Sequence, residues 1–387
     1  MQLTLPKFLY RFIPSMGNVI HPGNFHPVGT QRGAEALVSR ALATGQAAAG
    51  EGGRWLLVGG SGGFGSAARI ALGATHGAHT LDVSFDAPPK PESRNKMRRV
   101  GSPGFHRTLA MERRLRALGR IAESFAGDAF ARETREKAVV QIRELFPEGK
   151  IDGLVWSLAA PRAVNPRTGK PVASALKPLG NPLQLKTFSR AIPEQPSEVS
   201  SCELPPGTPE EAIATIFVMG GQVVQAWIDT LIEADVLAEG FTLLTISYRG
   251  GPLNAGIYRK GLIGLAKADL EFHTAAIHHQ LQAKLGGRAL AVEGPAVVTE
   301  ASGGIPGVPF YMAHLLDVLG DRHHDPLTAM QRLFGECLPK GGEPVVDEEG
   351  LIRLDAHELA DDVQEALRAR HEACKVGDAF PTALYDS

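Results

Sequence analysis

Tyr258 and Lys267 stand in the run Ile257-Tyr-Arg-Lys-Gly-Leu-Ile-Gly-Leu-Ala-Lys267, with eight residues between them. A phenol can hand a proton to a reacting oxygen or carbon, and a nearby ammonium group lowers its pKa and readies it for that work. The spacing constrains the backbone. On one continuous helix, positions nine apart are rotated by about 900°, half a turn out of phase, so the two side chains would face opposite ways. Gly261 and Gly264 fall in the interval, which predicts Tyr258 on an irregular turn and Lys267 in an early turn of the following helix.

A second group of residues lies far upstream. Gly59-Gly-Ser-Gly-Gly63-Phe-Gly65 follows the apolar run Trp55-Leu-Leu-Val58 and opens a helical pattern from Ser66 to about Ala74. In that context glycines bring backbone N–H groups up to a pyrophosphate at a helix N-terminus. Gly59, Gly63 and Gly65 fit the G-x-x-x-G-x-G form, with Ser61 and Phe64 in the same loop. The next strand, about His79 to Phe85, leads to Asp86, where a carboxylate would bond the ribose hydroxyls and repel a 2′-phosphate. This favours NADH over NADPH. Lys90, Arg94, Lys96, Arg98 and Arg99 follow as a solvated basic loop, or as a receiver for a phosphate of a coenzyme A substrate or an acidic carrier protein. The stretch Gly59 to Gly63 also satisfies G-x-S-x-G, which would make Ser61 a hydrolase nucleophile; Asp86 and the Tyr/Lys pair fit a nucleotide fold better.

The elements that must hold these residues alternate between short β-rich runs and helical patterns, as βαβ units do. The expected fold is α/β, a Rossmann-type doubly wound, mostly parallel sheet with helices on both faces. We read one enlarged domain: an N-terminal extension (1–54), a dinucleotide-binding half (55–160), a covering excursion rich in Pro, Gly and Ser (161–240), a catalytic half (241–335) and a C-terminal segment (336–387). Residues 86–107 read as loop and 108–146 as helix, with Leu109, Leu115, Leu118, Ile121 and Phe125 at helical spacing. Further strands are expected at Ile151 to Leu158, Phe241 to Tyr248, and Ala289 to Glu293 or Val297 to Val298. Helices are expected from Pro209 to Val218, Val223 to Ala238 and Ile263 to Leu285, a turn at Ser302-Gly-Gly-Ile-Pro, and a loop or small hairpin from Pro339 to Leu354.

Composition narrows the partners. Forty basic against forty-two acidic residues give a net charge of -2, which favours neither nucleic acid nor an anionic membrane. Cys202, Cys337 and Cys374 are widely spaced, and the adjacent pairs His278-His279 and His323-His324 diverge or sit in loops, so no metal is expected. The first residues lack a signal-peptide pattern and no run approaches 18 uninterrupted apolar residues, so a cytoplasmic protein without stable membrane insertion is expected.

Taken together, the motifs resemble the single-chain NADH-dependent trans-2-enoyl-thioester reductases, enlarged relatives of the short-chain dehydrogenases. The matching segments include the Gly59–Gly65 loop, Gly127-Asp-Ala-Phe130, Trp156 to Arg162, Thr168-Gly169, Leu176 to Gly180, Val218 to Gly221, Trp227 to Leu231, Gly256-Ile-Tyr258 with Gly264 and Lys267, and Val297 through Pro309. The resemblance implies hydride transfer from NADH to C3 of an enoyl thioester of coenzyme A or acyl carrier protein, in a monomer or homodimer. It implies Tyr258 as proton donor or enolate stabiliser, Lys267 as ribose ligand and tuner of Tyr258, and Tyr248 near the thioester carbonyl or as a strand-end aromatic. Asp128 would sit beside the adenine, and Leu158, Ala159, Val298 and Thr299 at the ribose and nicotinamide end. The chain departs from the family where Gly220-Gly-Gln-Val-Val224 replaces Gly-Gly-Glu-Asp-Trp and Tyr248-Arg-Gly-Gly-Pro-Leu-Asn254 replaces Tyr-Ile-Gly-Pro-Glu-Leu-Thr. Gln222, Val224 and Arg249 are therefore expected to line an altered acyl site. The other readings are a homologue that binds the nucleotide as a sensor or partner, and a carbonyl reductase of the same fold.

Overall fold

The computed structural model describes residues 25–94, 98–166, 168–189, 197–299 and 305–380; Pro22, Lys96 and the expected turn at 302–304 lie outside them. The first half runs α1 (Pro27–Ala43), β1 (Arg54–Val58), α2 (Gly63–Ile70), β2 (His79–Ser84), α3 (Pro103–Ala117), β3 (Ala122–Ala126), α4 (Arg132–Leu145) and β4 (Ile151–Trp156). Four short strands, β5 (Arg162–Val164), β6 (Pro171–Ala173), β7 (Leu183–Ser189) and β8 (Glu198–Leu204), form two antiparallel pairs in the excursion. The rest is α5 (Pro209–Met219), α6 (Gln222–Glu233), β9 (Leu237–Ser247), α7 (Leu262–Leu285), β10 (Arg288–Glu293), α8 (Val308–Leu319), α9 (Pro326–Arg332), β11 (Ile352–Arg353) and α10 (Asp361–Ala373).

Seven strands make one sheet in the order β3-β2-β1-β4-β9-β10-β11, every neighbouring pair parallel. The chain winds outward from β1 to β3 and then returns to start β4 on the other side of β1. Loops leaving β1 and β4 therefore diverge, and a crevice opens at the carboxyl ends of the central strands. Both faces are covered, so β1 is apolar from Trp55 to Val58 rather than alternating. Its Trp55 and Leu57 pack with α1, α2 and α9 residues such as Val38, Ile70 and Met330, and its Leu56 and Val58 pack with Ile142, Trp227 and Leu231 on the opposite face.

The expected fold class is the observed one, and several local expectations are corrected. Residues 108–146 are not one helix: α3 stops at Ala117, Gly119 adopts φ 79°, and β3 follows as the edge strand. That α3 begins at Pro103 inside the expected loop follows from Ser102, whose Oγ accepts from the Phe105 N–H as an N-cap. Leu109 is exposed, because the buried face of α3 runs through Thr108, Met111, Glu112 and Leu115. The Val297–Val298 alternative is not a strand, and 339–354 is no hairpin; it ends in β11, which adds a parallel edge to β10. The helix expected to Ala238 ends at Glu233, and β9 starts early, at Leu237.

An 18-residue window within Pro209–Glu233 has a mean hydropathy of 1.3, enough by length and composition for a membrane span. The helix breaks there, however, at Gly220-Gly221, and α6 turns Val224, Trp227, Ile228 and Leu231 into the core.

Candidate active site

The turn between β9 and α7 explains the Tyr/Lys spacing. Asn254 carbonyl accepts from the N–H groups of Ile257 and Tyr258, and Gly261 N–H donates back to Tyr258 carbonyl, closing an irregular turn ahead of the helix. The turn folds back on the first turn of α7 so closely that a Cβ on Gly264 would lie 2.3 Å from the Arg259 carbonyl oxygen and 2.4 Å from that of Tyr258. Only glycine permits this approach. The excursion is stitched to the same turn: Leu262 N–H donates to Lys177 carbonyl, and Pro178 bridges Gly261.

Tyr258 and Lys267 are both buried at this end of the sheet, at 9% and 8% exposure. Lys267 Nζ lies 3.5 Å from the Ile246 carbonyl oxygen on β9, and burial lowers its pKa against the pull of Glu293 and Glu271. The Tyr258 phenol is pushed up, first by burial and then by the Glu358 carboxylate. That departs from the expectation of a lowered phenol: burial and the nearby carboxylate both favour the protonated form of Tyr258.

Tyr248 packs edge-on against Tyr258 with ring centroids 4.7 Å apart. Its hydroxyl donates to Glu358 Oε1 at 3.1 Å and accepts from Asn254 Nδ2 at 3.0 Å. Tyr311 of α8 donates to the same Oε1 at 2.7 Å, and the Ala296 N–H donates to Oε2 at 2.6 Å. Glu358, fully buried in the segment between β11 and α10, is raised to about 7 by burial. Among the described residues no hydrogen bond engages the Tyr258 hydroxyl, so it is the free donor of the three tyrosines. An apolar cleft lined by Leu253, Asn254, Ile257, Phe310, Tyr311 and His314 adjoins this cluster.

At the β1 end the glycines form a cradle. Gly59 and Gly63 take φ 90° and 49°, a Cβ on Gly65 would fall 2.1 Å from the Gly59 carbonyl oxygen, and one on Gly60 would strike Asp82. The N-terminus of α2 carries no side-chain cap, which leaves its N–H groups for a phosphate. Asp82, fully buried on β2 and raised to about 6 by burial, accepts from Gly60 N–H at 2.7 Å and pins the loop. Arg107 donates to the Ser61 carbonyl, and Phe64 packs at the position where a Gly294 Cβ would sit. Asp86 gives Oδ1 to Ser102 Oγ at 2.7 Å, while its Oδ2 is buried without a hydrogen-bond partner. Asp128 lies in the loop after β3 and accepts from Phe130 N–H; Leu158 and Ala159 follow β4, and Val298 and Thr299 follow β10, with Thr299 facing Gly63. These loops all leave the same end of the sheet. A free helix N-terminus, a glycine cradle and an orphaned carboxylate oxygen fit a dinucleotide.

The three expected substrate contacts fare differently. Val224 is fully buried in the core beside Trp227, which removes it from any substrate. Arg249 is held by Glu271 and Glu349 at 2.9 Å each, with Glu293 3.6 Å from its Nε. Burial lowers its pKa, but those carboxylates raise it more, so it is a structural cation rather than a pocket residue. Gln222, on the first turn of α6, keeps an exposed side chain. Glu358, Tyr311, Asn254 and Asp82 were not singled out from the sequence. Glu358 stands in Leu354-Asp-Ala-His-Glu358, where nothing in spacing marks one acidic residue as buried.

The class defined by this fold and site is a dinucleotide-dependent oxidoreductase. The chain matches the family model for the trans-2-enoyl-CoA reductase catalytic region over residues 99–338, and that for the NAD(P)H binding domain of trans-2-enoyl-CoA reductase over 14–91. The enoyl-[acyl-carrier-protein] reductase [NADH] of Coxiella burnetii is 36% identical over 325 residues, spanning 84% of this chain and 77% of the relative. Its counterpart in Psychromonas ingrahamii is 36% identical over 347 residues, spanning 89% and 83%. Among solved structures, the trans-2-enoyl-CoA reductase of Clostridium acetobutulicum in complex with NADH superposes with a TM-score of 0.83 at 30% identity, covering 97% of this chain and 89% of that one. The Treponema denticola trans-2-enoyl-CoA reductase in complex with NAD gives 0.79 at 32% identity, covering 92% and 88%. This chain belongs to the trans-2-enoyl-CoA reductase family.

Proposed function

We propose that the protein reduces the C2=C3 bond of a trans-2-enoyl thioester, carried on coenzyme A or acyl carrier protein, with NADH as reductant. The observation that carries this reading is a buried Tyr258, among the described residues without a hydrogen bond to its hydroxyl, on the turn whose Asn254 and Ile257 line a small apolar cleft, on a sheet whose β1 end is a dinucleotide cradle. NADH, when bound, supplies the hydride for C3. The α2 N-terminus and the Gly59–Gly65 loop hold its pyrophosphate, Asp86 Oδ2 a ribose hydroxyl, Asp128 the adenine side, and Lys267 the nicotinamide ribose, with Leu158, Ala159, Val298 and Thr299 closing the site. Asp86 rejects a 2′-phosphate by charge, which sets NADH ahead of NADPH.

Tyr258 donates its hydroxyl hydrogen to the thioester oxygen and so stabilises the enolate that forms as C3 is reduced. The small apolar cleft lined by Ile257 and Tyr311 marks the side on which the acyl chain would lie. A cytoplasmic location and a monomer or homodimer complete the reading. Oxidation of NADH is followed with a panel of enoyl thioesters of both carriers, ketones and aldehydes. Turnover of the enoyl thioesters is expected. NADH binding without any turnover would make the protein a nucleotide sensor, and turnover of ketones or aldehydes alone a carbonyl reductase.

A further inference from the structure

Glu358 has no assigned part in the chemistry, yet it is the hub of the tyrosine cluster. Three donors converge on one fully buried carboxylate: Tyr248, Tyr311 and the Ala296 N–H, from three different segments. A carboxylate accepts all three, and their hydrogens are then unavailable to anything else. Tyr248 is further fixed by Asn254 and lies edge-on to Tyr258. The Gln364 amide donates to the Glu358 backbone carbonyl at 2.7 Å, tying the carboxylate's own segment to α10.

We propose that Glu358 is a positioning residue of the reduction: by holding the hydroxyl hydrogens of Tyr248 and Tyr311 it locks the Tyr248 ring against Tyr258 and leaves Tyr258, of these three tyrosines, the one able to donate to substrate. The proposal rests on the reductase reading above. It assigns Tyr248 a supporting role, since a hydroxyl whose hydrogen is committed to a carboxylate cannot also donate to a thioester oxygen. Protonation of Glu358 would turn one acceptor into a donor and release a tyrosine, so activity should fall on the acid side of neutrality. The titratable groups facing the carboxylate are Tyr248, Tyr258, Tyr311 and Asp355. Each tyrosine is pushed upward, and Glu358 is the carboxyl in the cluster raised to about 7.

The test compares wild type, Glu358→Gln and Tyr248→Phe by steady-state kinetics with crotonyl-coenzyme A from pH 5.5 to 8.5 and by NADH titration. Glutamine keeps the volume but offers one acceptor oxygen and presents an amide hydrogen pair to the remaining donors. A fall in kcat on the order of 10- to 100-fold is expected, with NADH affinity held within about two-fold, as misplacement of a donor rather than loss of a cofactor contact predicts. Wild-type kcat should show one ionisation near neutrality that is absent from Glu358→Gln. Tyr248→Phe cuts the tether but keeps the ring; it should also lose the ionisation, and combined with Glu358→Gln the effects on kcat should be less than additive. Wild-type-like kcat and pH profile in Glu358→Gln overturn the proposal. If that variant does not fold, an unchanged pH profile in Tyr248→Phe overturns it equally. No enoyl-thioester turnover by wild type would instead remove the reductase reading on which it rests.

Discussion

Tyr258 and Tyr248 are alike in residue type and pack against one another, Tyr258 buried and Tyr248 partly so, and their hydrogen bonds set them apart. Tyr248 is committed to Glu358, whereas Tyr258 is not, so loss of the Tyr258 hydroxyl should remove the proton donor outright. Tyr258→Phe is expected to lower kcat by about 10²- to 10⁴-fold with NADH affinity little changed; wild-type-like rates in stopped-flow assays would remove it from the chemistry. Asp86 is argued from one orphaned oxygen. With Oδ1 held by Ser102, Oδ2 remains for a ribose hydroxyl, and its charge opposes a phosphate there. Asp86→Asn keeps the shape and removes the charge, so the ratio of kcat/KM for NADH over NADPH should fall by about 10-fold or more; an unchanged ratio would place cofactor choice elsewhere.

The elements do their work through close approach. The turn carrying Tyr258 lies on the first turn of α7 because Gly264 has no side chain, and a methyl group there meets two carbonyl oxygens at sub-contact distance. Gly264→Ala should therefore displace Tyr258 and lower kcat on the order of 10²-fold, while far-ultraviolet circular dichroism stays native; full activity would show that the turn can yield. Arg249 illustrates the opposite case, a charge used as a strut between the end of β9, α7, the end of β10 and the loop before β11. Glu293 is 0% exposed and neither of its oxygens has a hydrogen bond, so Arg249 is what makes it tolerable. Arg249→Met leaves that carboxylate uncompensated and should destabilise the fold by about 3–5 kcal/mol in urea unfolding, the cost of breaking a buried pair. A stability loss below about 1 kcal/mol, coupled to a large KM change, would return Arg249 to the substrate site.

Across the whole molecule, buried ionisable groups set how stability responds to pH. Glu293 and Glu358 are raised to about 7, and Asp82 to about 6, all by burial. Over the window between their ordinary values and these, the native state binds protons that the unfolded chain has released, so stability falls as pH rises. His314 and His357, lowered to about 4 by burial, act in the other direction, since the unfolded chain binds more protons from there up to the ordinary 6.5 and stability rises with pH. The two effects oppose one another up to about pH 7, and His76, His79, His324 and His371, also lowered by burial, add to the histidine side. Glu293→Gln removes one group that makes stability fall with rising pH, so the Tm of the variant relative to wild type should climb between about pH 5 and 7; a difference that stays flat over that interval would contradict it.

The sequence alone determined the parts whose signal is local. A glycine run between an apolar strand and a helix, an acidic residue beyond the next strand, and two glycines between a tyrosine and a lysine each follow from backbone sterics within a few residues. They led directly to the doubly wound sheet and to Tyr258, Lys267 and the cofactor loop. Edge strands β3 and β11 escaped because β3 is no apolar run and β11 is two residues long, so pairing rather than pattern makes them strands. Burial and charge pairing were decided only by the tertiary structure. Val224 and Arg249 were expected at a substrate surface because they depart from the family pattern, yet one fills the core and the other balances three carboxylates drawn from distant segments. Glu358 became visible as the partner of three donors only when the segment before α10 closed over Tyr248 and Tyr311. A carboxylate's chemistry depends on what surrounds it, and those surroundings are assembled from residues that the chain keeps far apart.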